Sequence, residues 1–107
     1  MAKALGIDIG GTGIKGAVVD TATGELLSER LKLATPEGGE PKDIIATVVA
    51  LIEKLGGLEA GVPVGVCFPA IVRNGRTMSA ANVSKKWIGL DAEQLFETAL
   101  GRDIHFV

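Results

Sequence analysis

Tyrosine is absent from this 107-residue chain, and three Phe and one Trp are its only aromatics. Any core is therefore built mainly from Val, Ile, Leu and Ala, a composition that suits a sheet covered by helices. Cysteine is nearly absent too. Cys67 stands alone in an apolar run, so an internal disulfide is excluded, a reducing compartment is expected, and the thiol itself reads as a buried apolar group. The single histidine, His105, has no clustered His or Cys beside it in the sequence, which makes it structural rather than a metal ligand. Neither sign of charge dominates: 11 Lys and Arg against 13 Asp and Glu leave a net charge of -2, and no global basic field attracts nucleic acid. No stretch approaches the roughly 18 apolar residues of a membrane span, and the opening MAKALGIDIGG lacks the apolar h-region of a signal peptide. A cytoplasmic, soluble chain with no nucleic-acid and no membrane partner is the expectation.

What is present is a globular composition, 47% hydrophobic and 22% charged, with 15 glycines for tight turns. The pattern along the chain predicts an α/β fold. Residues 4–9 and 14–19 read as strands around a glycine turn. A hairpin loop at 20–25 leads to a third strand over 26–33, completing an antiparallel meander. The Pro- and Gly-rich stretch 34–41 is a loop. Ile44, Ile45, Val48, Leu51, Ile52 and Leu55 fall on one face of a helix over 43–55, stopped by Gly56 and Gly57. The apolar run 63–68 predicts a strand in the same sheet, buried on both faces. Asn74-Gly75 marks a hairpin. A second helix begins at Asp91, with Gln94 placed as in a capping box and Leu95, Phe96, Ala99 and Leu100 as its apolar face. Residues 104–107 read as a further strand.

The chemistry concentrates in DIGGTGIKGAVVD, residues 8–20. Gly11, Gly13 and Gly16 fit G-x-G-x-x-G, the dinucleotide-binding fingerprint, but that motif requires a helix directly after the glycines. Ile14 to Val19 is β-branched and carries no helical stripe, and no Gly-Lys-Ser/Thr triplet follows, so the Rossmann and Walker readings both fail. The remaining functional reading is a β-hairpin whose turn binds phosphate. Gly10, Gly11 and Gly13 let the backbone approach an anion, Thr12 adds a hydroxyl, Lys15 adds positive charge, and Asp8 can hold Mg²⁺ directly or through water. On spacing alone, an ordinary glycine hairpin with Asp8 capping its own turn stays open beside it.

GIDIGGTGIKGAVVD resembles the first phosphate motif of the sugar kinase/actin/chaperone superfamily in its bacterial ROK branch, and the order of elements matches the ribonuclease H-like half-domain of that superfamily. The stretches VGVCFPAIVRNG (64–75) and SAANVSKKWIGLD (79–91) are similar to those of polyphosphate/ATP-dependent glucokinases. The resemblance implies a mixed sheet of three antiparallel strands plus parallel strands with flanking helices. It also implies transfer of a phosphoryl group from inorganic polyphosphate or ATP to the 6-hydroxyl of glucose, with Mg²⁺, in a homodimer when full-length. Phe68, Pro69, Ala70, Asn82, Val83, Ser84 and Lys85 become the candidate sugar-facing residues. Asn82 and Ser84 have the mixed donor and acceptor groups that sugar hydroxyls need. Lys85 and Lys86 meet phosphate or are a solvated pair, and Trp87 is a core anchor or a stacking platform.

The same resemblance places the catalytic base in an Asn-Asp pair just beyond Val107. Residues 1–107 are then the N-terminal small domain of an actin-like kinase, with no catalytic base of their own. The alternative is a non-catalytic ROK-type sugar-responsive regulator or an actin-like ligand-binding module. With the phosphate motif inside the first ten residues, the helix-turn-helix that precedes this domain in such regulators has no room.

Overall fold

The computed structural model describes residues 2–69, 72–78 and 83–106. Strands β1 (Lys3–Ile9), β2 (Gly13–Asp20) and β3 (Leu31–Ala34) are followed by helix α1 (Pro41–Lys54) and strand β4 (Val64–Cys67). A two-stranded hairpin, β5 (Val72–Arg73) and β6 (Arg76–Thr77), a 3-10 turn (Lys85–Trp87), helix α2 (Ala92–Leu100) and strand β7 (His105–Phe106) complete the chain. The main sheet runs β3-β2-β1-β4-β7. β1/β2 and β2/β3 are antiparallel, whereas β1/β4 and β4/β7 are parallel. Each parallel step needs a crossover, and α1 and α2 supply the two. The expected mixed sheet with flanking helices is therefore present, and a strand, not a helix, follows the glycine turn.

Period-two alternation decides which face of the sheet is covered. Leu5, Ile7 and Ile9 of β1 and Val64 and Val66 of β4 join Ile44, Val48 and Leu51 of α1 and Phe96 of α2 in one core. α1 lies against β2 so closely that a Cβ on Gly16 would sit 2.7 Å from Leu51 Cδ2 and 2.9 Å from Ile7 Cδ1. Gly16, the third glycine of the fingerprint, thus serves helix–sheet packing and not a ligand. Both helices occupy this one face; Gly6, Asp8, Lys15, Cys67 and His105 are exposed on the other.

Local signals set the ends of the elements. Pro41 opens α1 at a position where its missing N–H leaves no helical bond unmade, and Gly56 and Gly57 follow it with φ of +96° and +84°. The Asp91 carboxylate accepts from the Gln94 N–H at 3.2 Å, and Gly101 closes α2 in the left-handed region at φ +68°. The Asn74-Gly75 turn has positive φ at both residues, as a two-residue hairpin requires.

Four expectations need correction. The third strand is not 26–33. Ser28 Oγ accepts from the Val18 N–H at 2.9 Å, taking the place of a backbone carbonyl, and the continuous ladder resumes only at Leu31 opposite Gly16. β4 is buried on one face only, because no helix covers the other, so Cys67 is exposed and not a core thiol. The capping box is half formed: the Gln94 side chain donates to Thr98 at 3.1 Å. Finally, Leu95 and Ala99 of α2 face outward; Ala92 and Phe96 are its buried residues.

All four aromatic residues of the chain gather at one end of the core. Phe68 lies 4.5 Å from Trp87 and 5.6 Å from Phe106 between ring centroids, and Phe96 stacks 6.1 Å from Trp87. Trp87 is fully buried, so it is the core anchor and not a sugar platform.

Candidate functional site

The turn between β1 and β2 is held from inside and outside. Within it, the Gly10 N–H donates to the Gly13 carbonyl at 2.9 Å. From the end of β3, the Thr35 hydroxyl donates to the Gly10 carbonyl at 2.6 Å and the Thr35 N–H to the Thr12 carbonyl at 3.2 Å. A Cβ on Gly10 would meet the Gly13 carbonyl at 3.0 Å, so the tight closure needs glycine for space rather than for a left-handed conformation. Gly11 and Thr12 at the tip are exposed.

Antiparallel pairing places the charged groups beside this turn. Asp8 of β1 is directly opposite Lys15 of β2, and parallel pairing sets Asp8 beside Cys67 of β4. Both residues therefore lie on the uncovered face, on neighbouring strands whose backbones are about one strand spacing (~4.8 Å) apart. Among the described residues there is no group of three or more His, Cys, Asp or Glu able to enclose a metal. One exposed carboxylate next to a glycine turn is still a donor set that would suit Mg²⁺, which takes one or two protein carboxylates and completes its shell with phosphate oxygens and water. The predicted phosphate residues Asp8, Gly10, Gly11, Thr12, Gly13 and Lys15 are thus brought together.

The candidate sugar-facing residues divide differently. Ala70 and Asn82 lie outside the described residues. The side chain of Phe68 belongs to the aromatic cluster, which leaves its backbone and the neighbouring Pro69 for a ligand. Ser84 caps the 3-10 turn, accepting from the Lys86 N–H at 3.1 Å, while its hydroxyl lies 3.4 Å from Glu40. Lys85 and Lys86 are both exposed, and Lys86 pairs with the same Glu40 carboxylate at 3.4 Å. Val83 is half-buried, its Cα pressed against Gly39.

Gly39 is the residue that sequence reasoning missed here. Its carbonyl accepts the Trp87 indole N–H at 2.8 Å and the Ser84 N–H at 3.2 Å. It adopts φ +56°, and a Cβ there would lie 2.8 Å from Val83 Cα. Thr35 was missed likewise. Composition marks 34–41 only as a loop, yet Thr35 and Gly39 within it grip the glycine turn and the 83–87 segment, and the four residue steps between them span at most about 14 Å. A Gly39→Ala substitution is expected to cost about 2–3 kcal/mol, combining left-handed strain with a clash against backbone that cannot swing aside. Urea unfolding checks this; an unmoved midpoint would mean that 83–84 is not docked on the loop.

A family model described as the ROK family matches residues 4–107. The chain is 41% identical over 97 residues to polyphosphate glucokinase of Mycobacterium tuberculosis, covering 91% of this chain and 36% of that protein. Among solved structures, inorganic polyphosphate/ATP-glucomannokinase from Arthrobacter sp. strain KM superimposes with a TM-score of 0.93 at 41% identity, over 100% of this chain and 44% of that one. A ROK family glucokinase from Streptomyces griseus in complex with glucose and AMPPNP gives a TM-score of 0.75 at 25% identity, over 98% of this chain and 32% of that chain. The chain thus spans about a third to 44% of the length of these proteins.

Proposed function

Because this chain belongs to the ROK family, we propose that it is the N-terminal lobe of a glucokinase that transfers a phosphoryl group from inorganic polyphosphate or ATP to the 6-hydroxyl of glucose. The observation that carries the reading is the single loop that fastens both the phosphate turn, through Thr35, and the 83–87 segment, through Gly39. Donor and acceptor sites held by one short loop keep a fixed separation, as in-line transfer demands. The names of the most similar relatives, polyphosphate glucokinase and polyphosphate/ATP-glucomannokinase, support the choice of donor and sugar.

In this reading the exposed tip at Gly11 and Thr12 presents donors to the phosphate chain, and Lys15 offsets its charge. Asp8 would hold Mg²⁺ directly or through water, and the ion, when bound, would supply positive charge against phosphoryl oxygens. Asn82, Ser84 and the backbone at Phe68 and Pro69 orient the sugar. The general base comes from a carboxylate beyond Val107, in a second lobe that also closes the cleft against water. The exposed single thiol, Cys67, suits a reducing, cytoplasmic setting.

The reading predicts opposite outcomes in two contexts. Residues 1–107 alone are expected to form no glucose 6-phosphate from Mg²⁺ with ATP or polyphosphate, since general-base help worth about 10²–10⁴-fold is missing. Grafted in place of the matching part of the Arthrobacter enzyme, the same residues are expected to sustain turnover, and Asn82→Ala in that graft to weaken glucose binding by about 1–3 kcal/mol. A coupled glucose-6-phosphate assay decides. Turnover by the isolated chain, or a correctly folded graft that binds neither glucose nor donor, would refute the assignment.

A further inference from the structure

Lys32 is a residue for which the sequence suggests no role, and its position in the sheet gives it one. Pairing of β2 with β3 sets Lys32 directly opposite Lys15, which is itself opposite Asp8. Lys32, Lys15 and Asp8 therefore form a row across the uncovered face, each about one strand spacing (~4.8 Å) from the next. The Lys32 side chain does not extend away from the turn. A Cβ built on Gly13 would lie 2.4 Å from Lys32 Cε and 3.4 Å from both Cδ and Cγ. The aliphatic stem thus crosses Gly13, and the ammonium beyond Cε is carried to the base of the glycine turn. Gly13 is buried although it stands at the edge of the turn, while Lys32 as a residue stays exposed. Among the described residues, neither Lys15 nor Lys32 has a carboxylate within ion-pair distance; the pairs formed are Lys3–Glu59, Arg76–Asp91 and Lys86–Glu40.

We propose that Lys32 is a second cationic ligand for the triphosphate portion of the phosphoryl donor, acting beside Lys15 at the Gly10–Gly13 turn. This rests on the phosphate reading of that turn and extends it. Two lysines on paired positions of neighbouring strands, against one carboxylate, leave a net positive row suited to a linear run of phosphates. Each lysine acts as a point charge with three donors and needs no fixed fork geometry. Gly13 belongs to the same device, since any side chain there would displace the stem that aims the charge.

The test is an NMR titration of the ¹⁵N-labelled 107-residue chain with sodium tripolyphosphate, and in a second arm with ATP, each with and without Mg²⁺ and at two salt concentrations. Lys32→Met keeps the stem over Gly13 and removes the charge; Lys32→Arg restores the charge. Lys54→Gln, in the last turn of α1, controls for a general change in net charge. Lys32→Met is expected to weaken tripolyphosphate about three- to fivefold, the range of an exposed ion pair, and to flatten the salt dependence. Lys32→Arg should recover most of the affinity, and Lys54→Gln should change nothing. A comparable loss in the ATP arm assigns Lys32 to both donors, and a loss with tripolyphosphate alone assigns it to the inorganic chain. Wild-type affinity and salt dependence in Lys32→Met, beside a loss in Lys15→Met, would overturn the proposal and leave the phosphate turn standing. Absence of any tripolyphosphate-induced shift at residues 10–15 of the wild type would overturn the phosphate reading itself, and this proposal with it.

Discussion

In a kinase carrying this lobe together with its second lobe, Asp8→Asn is expected to lower phosphoryl transfer by about 10²–10³-fold, with glucose affinity within about twofold of wild type. The substitution is nearly isosteric on an exposed strand position, so packing is not disturbed. What changes is charge. The amide can still accept a hydrogen bond but would no longer attract the Mg²⁺ that the proposed function assigns to Asp8, and electrostatic positioning of this kind is worth about that much in rate. The sign of a second measurement separates this role from a structural one. Removing the carboxylate leaves Lys15 and Lys32 unopposed in the cross-strand row, so binding of metal-free tripolyphosphate should hold or tighten while Mg²⁺-dependent turnover collapses. Unchanged turnover at saturating Mg²⁺ would remove Asp8 from the site.

Trp87→Ala is expected to destabilise the chain by about 3–5 kcal/mol, the usual cost of deleting a large buried aromatic. Trp87 is fully buried between Phe68 and Phe96, and truncation opens a cavity in a cluster of Phe68, just past the end of β4, Phe96 of α2 and Phe106 of β7. The Gly39 carbonyl also loses its indole donor. Domains of this size have about 5–15 kcal/mol of stability in total, so the variant should approach the unfolding threshold at room temperature. Trp87→Phe separates the two contributions: it refills most of the volume and forfeits the hydrogen bond, for about 1–2 kcal/mol. Urea denaturation measures both. A loss below about 1 kcal/mol in the alanine variant would show that the cluster does not depend on its central ring.

The two effects are coupled through place. Trp87 belongs to both the aromatic cluster and the 83–87 segment, so if that segment faces the sugar as proposed, a loosened Trp87 should raise the glucose requirement more than the donor requirement. Asp8, next to the glycine turn that Thr35 holds, should on the same reading do the reverse.

Much of this could be read from the order of residues because the causes are local. β-Branched alternation after Gly13 excluded a helix there, and with it the dinucleotide reading. The spacing of Ile44, Val48 and Leu51 placed α1 and its buried face. Asn74-Gly75 and Gly101 marked positions where the backbone turns left-handed, a property of the residue itself. Asp8, Gly10 to Gly13 and Lys15 fall together because they are consecutive in a hairpin, whose pairing register follows from the turn.

Other features depended on which elements meet. Cys67 and Val66 lie in one apolar run, but both helices chose one face of the sheet, and alternation then put the thiol outside and the valine inside. Leu95 is as apolar as Phe96, yet only Phe96 points at the core. The three fingerprint glycines look equivalent in sequence and are not: Gly11 is at the exposed tip, Gly13 lies under the Lys32 stem, and Gly16 under Leu51. Thr35, Gly39 and Lys32 carry no motif at all. Their parts come from contacts across 19 to 48 residues of chain, Lys32 with Gly13 and Trp87 with Gly39. Such separations are set by sheet register and helix docking, and no local propensity encodes them.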